Sequence, residues 1–131
     1  MPSVKYTDQW GDIIDREEGI VEIRWFDSTL SMTGREFNAF LGAFATAVEE
    51  TRRRLCLVDA KSFLMDPSKF EIGWRDAHII PRYNEAGVQK FAFIMPDGMP
   101  AIGAPPTPEG PANFPTAYFG TRIDAVGWLN S

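Results

Sequence analysis

The chain has 131 residues, of which 44% are hydrophobic and 24% charged, with a formal net charge of -5 at pH 7. That length suits one hydrophobic core and would leave two independent domains marginal. Ten Phe and four Trp supply large apolar side chains that disordered segments lack, and the acidic balance argues against nonspecific DNA or RNA binding, which draws on clustered Lys and Arg.

Met1 to Trp10 carries charges and has no apolar stretch of the kind a signal peptide needs, and no segment is long and apolar enough for a membrane span. Cytoplasmic residence is therefore the default expectation. The single cysteine, Cys56, has no internal disulfide partner, and its place between Leu55 and Leu57 predicts a buried strand thiol in a reducing compartment.

Val21, Ile23 and Trp25 alternate with Glu22 and Arg24, which predicts a strand over Ile20 to Phe26. The Asp12 to Asp15 segment precedes it across Gly19, so the two read as a hairpin. Thr33 and Glu36 have capping-box spacing, Met32 and Phe37 that of a hydrophobic staple, and Phe37, Phe40, Leu41, Phe44 and Val48 form one helical stripe. These signals predict a long amphipathic helix to about Arg53, with Arg52 to Arg54 complementing the dipole at its end.

Leu55 to Val58 reads as a central strand buried on both faces. Asp66 as a cap and Pro67 in the first position predict a second helix, carried on by Phe70, Trp74 and Ala77 until Pro81 and Gly87 end it. Val88 to Met95 is the second central strand. Residues 96 to 115 are crowded with Pro and Gly, so neither a helix nor a central strand is expected there. Thr116 to Phe119 is a short last strand, and Thr121 with Asp124 opens a final helix whose buried side holds Ala125, Trp128 and Leu129. The expected architecture is α/β: one domain over 1–131, a mixed sheet of about five strands with helices packed on it, and a Pro/Gly-rich loop at 96–115.

Several of these residues carry a family resemblance. Leu57, Val58 and Asp59 close a central strand, Gly87 to Phe93 opens another through a Gly-Val turn, and Ala125, Val126, Gly127, Trp128 and Leu129 form an Ala-x-x-Trp-Leu helix. With the strand Ile20 to Phe26 before a capped helix, this pattern resembles the SpoIIAA-like family. That family shares its fold with STAS domains and is loosely grouped with SEC14-type lipid-binding folds. The resemblance implies a small regulatory or interaction domain. In the anti-sigma-factor antagonist branch an Asp-Ser pair opens the helix after the central strand, and the serine is phosphorylated. Here the matching residues are Asp66 and Pro67, so that phosphoacceptor is absent, and Ser68 stands one position late.

Asp59, Ser62, Asp66 and Ser68 cluster after a central strand, where α/β proteins often place ligands, and form a candidate regulatory or ligand loop. The plainer alternative is that they cap and complete turns. Met99, Ile102 and Phe114 make the 96–115 loop a candidate interaction surface, or else they fold back on the core. His78, the only histidine, lacks partners at metal-ligand or triad spacing, and no phosphate-binding loop is present.

No catalytic residue, cofactor or metal site is assigned. The first expectation is a nonenzymatic interaction or regulatory domain, self-associating in its simplest form as a homodimer through the loop. The alternative is a carrier of a small apolar ligand lined by Phe40, Phe44, Trp74, Phe93 and Phe114. The third is an enzyme using Asp59, Asp66 or His78 as acid or base.

Overall fold

A computed structural model describes residues 2–16, 18–96 and 106–131. Seven strands form one mixed sheet: β1 (Ser3–Thr7), β2 (Gly11–Arg16), β3 (Ile20–Trp25), β4 (Leu55–Asp59), β5 (Lys90–Ile94), β6 (Thr107–Pro108) and β7 (Pro115–Phe119), in the spatial order β1-β2-β3-β4-β5-β7-β6. β3, β4, β5 and β7 run parallel, while β1, β2 and β6 pair antiparallel at the two sides. The predicted hairpin is β2–β3, turned through Gly19 at φ 81, a backbone conformation that costs glycine little.

Two strands beyond the expected five appear, and both escape pattern reading for a physical reason. Every residue of β1 is exposed, and its Val4-Lys5-Tyr6 alternation is too short to mark a strand, although Tyr6 meets the core ring of Phe40 edge-on at 5.5 Å. β6 is two residues long and lies at the sheet edge, where Pro108 lacks no needed ladder donor.

The face carrying Ile13, Val21, Ile23, Trp25, Cys56, Val58 and Phe91 is covered by α1 (Gly34–Thr51), α2 (Trp74–His78) and α3 (Ile80–Ala86). The other face buries Ile20, Leu57, Ala92 and Ile94 under Ala125 and Leu129 of α4 (Arg122–Leu129). Helix α1 begins as its sequence predicts. The Thr33 hydroxyl accepts the Glu36 N–H at 3.2 Å, and the Glu36 carboxylate accepts the Thr33 N–H at 3.0 Å. The helix stops at Arg52, whose φ of 57 is left-handed.

The helix expected from Asp66 to Pro81 is broken into three pieces. Pro67–Lys69 is a single 3-10 turn, Gly73 at φ 82 interrupts the path, and α2 is only five residues long. Pro81 does not end a helix but sits in the first turn of α3, where a missing N–H has no helical partner to lose. The residues meant to form one long helix therefore cross the ends of β4 and β5 as loop and short turns. This break leaves room for a pocket between α1 and α2.

Candidate functional site

Where the parallel strands end, the sheet and the broken helix segment enclose a pocket of about 320 Å³. Its floor is made by Ile23 and Trp25 of β3, Val58 of β4 and Phe91 and Phe93 of β5. Phe37 and Leu41 of α1 form one wall, and Tyr83 of α3, with Phe63 and Phe70 from the segment after β4, forms the other. Those are inward positions of strands and the apolar stripe of α1, so the alternation that makes the core also makes the lining.

The rings touch in a chain around the pocket. Trp25 lies 5.8 Å from Phe37 and 5.1 Å from Phe63, Phe37 lies 4.9 Å from Phe70, and Phe93 stacks on Tyr118 at 5.1 Å with 13° between planes. Such separations lie within the range of favourable aromatic pairs.

Three polar side chains interrupt the apolar lining: Arg75, Glu109 and Tyr118. The Tyr118 hydroxyl donates to the Glu109 carboxylate, 2.6 Å from Oε2 and 2.8 Å from Oε1. Burial and this bond push the Tyr118 pKa well above the usual tyrosine value, so the phenol holds its proton. Arg75 is half-buried, and its guanidinium carbon lies 5.6 Å from the centroid of the Phe91 ring. Among the described residues it has no hydrogen-bond acceptor and no carboxylate within ion-pair distance.

Of the aromatic residues expected to line a ligand site, only Phe93 does so. Phe40, Phe44 and Phe114 are fully buried in the core, and Trp74, only partly buried, packs at its edge with its ring tilted 39° to that of His78. Phe114, also a candidate docking residue of the loop, is 1% exposed and packs against Tyr83 and Phe91, which leaves it no surface to offer a partner. Met99 and Ile102 lie outside the described residues. Arg75, Glu109 and Tyr118 went unrecognised because they come from α2, the stretch after β6 and β7, and only the fold brings them together.

The other expected cluster separates into local contacts. Asp59 and Ser62 line one open depression, but Asp66 and Ser68 do not. Asp59 accepts the Lys61 N–H at 3.2 Å, and its other oxygen lies 3.3 Å from Arg122. Asp66 accepts the Ser68 N–H at 2.9 Å and caps the 3-10 turn, a bond that lowers its pKa. His78 is exposed, with its ring 5.3 Å from that of Trp74. No hydrogen bond among the described residues joins Asp59, Asp66 and His78, so they form no acid and base relay. No group of three or more His, Cys, Asp or Glu among the described residues is placed to hold a metal. The Cys56 thiol is fully buried, and burial raises its pKa far above the thiolate range, which makes it inert.

On the α4 face of the sheet the polar residues are structural. Glu22 is fully buried and flanked in register by Ile14 and Leu57. Arg16 and Arg122 seal it, at 2.7 and 2.6 Å. Nearby, Asp12 accepts the Thr7 hydroxyl at 2.6 Å and pairs with Arg24. Burial opposes ionisation of Asp12, but the Thr7 and Arg24 contacts outweigh it and its pKa is lowered.

A folded-state pKa below the ordinary aspartate value of about 3.9 means that Asp12 contributes stability above that pH and loses it as pH falls through the lowered value. Thermal melts from pH 7 to pH 2 are expected to show Asp12→Asn with a shallower acid limb than the parent chain. Parallel acid limbs would contradict this assignment.

Comparison with family models, with curated proteins and with solved structures finds no match to this chain. No helix among the described residues is long and apolar enough to cross a membrane.

Proposed function

We propose that this domain is a nonenzymatic binding domain that carries a small apolar molecule in the aromatic pocket. The observation that carries the reading is the pocket itself. It is open on one side, its volume of 320 Å³ has room for several waters at about 30 Å³ each, and its lining is almost wholly aromatic and aliphatic. Pockets for drug-sized ligands span roughly 300–1,000 Å³, which makes the preferred guest small. The position supports the same reading, because ligands of open α/β sheets gather beyond the carboxyl ends of parallel strands.

We place the chain with the SpoIIAA-like domains on its motifs: Asp59 closing a central strand, the Gly87-Val88 turn before the next, and the Ala125 to Leu129 helix. The kinship with lipid-binding folds then agrees with a carrier role. Pro67 in place of the phosphorylated serine agrees with a domain that works by occupancy rather than by that switch.

Ala60 is almost fully buried and borders the pocket, so Ala60→Phe fills it from the β4 side. In amide NMR titrations with indole, the parent chain is expected to show shifts concentrated at residues such as Trp25, Phe63 and Phe93. The folded Ala60→Phe variant is expected to lose at least tenfold in affinity. If indole at millimolar concentration leaves the parent spectrum unchanged, or binds both proteins alike, the pocket is not the binding site.

A further inference from the structure

We infer that the molecule carried in the pocket is a small carboxylic acid, with its apolar body among the rings and its carboxylate on Arg75. The inference rests on the binding role proposed above and adds the chemical class of the guest.

The polar groups of the lining are in different states. Tyr118 and Glu109 satisfy one another through a short hydrogen bond, so neither lacks a partner. Among the described residues the Arg75 guanidinium meets the π face of Phe91, and none of its five N–H donors meets an acceptor there. A half-buried guanidinium held this way presents a planar donor fork, the geometry that carboxylates meet with two parallel hydrogen bonds.

Its charge also reaches into the surrounding wall. Arg75 acts to ease ionisation of Cys56, Tyr83 and Tyr118, although burial dominates at each of them and holds all three protonated. Glu109 and the neighbouring Asp76, whose carboxylate closely approaches Gly110, are the opposing charges on this side. The Glu109 carboxylate is already occupied by the Tyr118 hydroxyl, and Asp76 is exposed to water, which screens it. Little in the rest of the lining competes for a second polar group. An acid with one terminal carboxylate and an alkyl or single-aromatic body fits this division.

Octanoate and 1-octanol make a matched pair of probes, because they share a chain and differ in the charged head. The alcohol is the more apolar of the two, so a pocket that reads only hydrophobicity favours it. By calorimetric titration, the parent chain is expected to bind octanoate about tenfold tighter than octanol. Arg75→Met keeps the length and apolar stem of the side chain but removes the charge. It is expected to weaken octanoate about tenfold while leaving octanol within twofold, and Arg75→Lys to recover part of the loss.

Equal or weaker binding of octanoate by the parent chain overturns the acid assignment while leaving the pocket reading intact if octanol binds. Undiminished octanoate binding by folded Arg75→Met overturns it as well. Binding of neither probe overturns the pocket reading and the acid assignment together. Should Arg75→Met not fold, the acid-to-alcohol ratio in the parent chain and in Arg75→Lys decides the matter.

Discussion

Arg122→Met is expected to lower the unfolding free energy by about 2–3 kcal/mol, which is far more than an ordinary surface ion pair is worth. The reason lies in Glu22, whose side chain is completely inaccessible, while that of Arg122 is 41% exposed. Two guanidinium nitrogens of Arg122 reach the Glu22 carboxylate at 2.9 and 2.6 Å, and only Arg16 remains when they are removed. Breaking a buried pair from one side costs roughly 3–5 kcal/mol because it strands a desolvated charge, and the exposure of Arg122 reduces that here.

Glu22→Gln placed in the Arg122→Met background is expected to recover about half of the loss, since a neutral amide is cheaper to bury than a carboxylate. Urea denaturation of the two single variants and the double variant provides the measurement. A loss below about 0.5 kcal/mol for Arg122→Met would show that water, not Arg122, satisfies Glu22.

The second large effect belongs to the core behind the pocket. Phe44→Ala is expected to cost about 3–5 kcal/mol, against a typical total domain stability of about 5–15 kcal/mol. Phe44 is fully buried on α1 and meets Tyr83 and Phe91 edge-on, at 6.1 and 6.4 Å. Its ring therefore ties α1 to α3 and β5 at one point. Tyr83 and Phe91 also line the pocket, so the space left by the ring would open towards an existing void and collapse poorly. The melting temperature is expected to fall by roughly 10–20 °C. Phe44→Leu, which refills much of the volume, is expected to cost about 1 kcal/mol. A loss under about 1.5 kcal/mol for Phe44→Ala would mean that neighbouring rings close over the gap.

The consequences for the pocket differ between the two variants. Arg122→Met acts on the opposite face of the sheet and is expected to leave guest binding intact in folded protein. Phe44→Ala removes support from two rings of the lining.

Elements whose causes are local were legible in the residues. Thr33 and Glu36 satisfy each other's backbone, and Phe40, Phe44 and Val48 repeat at helical spacing. Leu55 to Val58 and Phe91 to Ile94 are apolar runs buried in a parallel sheet. Gly19 and Gly87 mark turns because their backbones are left-handed. Capping, periodicity and positive φ involve neighbours within a few positions, and a sequence displays such neighbours directly.

The break after β4 was harder to see. Phe70, Trp74 and Ala77 keep helical spacing, yet Gly73 adopts φ 82 and the helix splits there, so apolar spacing outlasted the helix it implied. β1 and β6 gain their place from pairing with β2 and β7, and β1 adds side-chain contacts, from Tyr6 to Phe40 and from Thr7 to Asp12, that no local pattern displays.

The sequence by itself determined an α/β domain with a capped amphipathic helix, a hairpin, central parallel strands and a closing helix. Only the tertiary structure decided that a pocket exists and which groups enter it. Glu22 meets Arg122 across a separation of 100 residues, and Arg75 shares a wall with Glu109 and Tyr118. Such contacts depend on strand order and on how far a helix falls short of covering its sheet. No local pattern encodes either quantity, because both are settled by the competition among all packed elements for the same apolar surface.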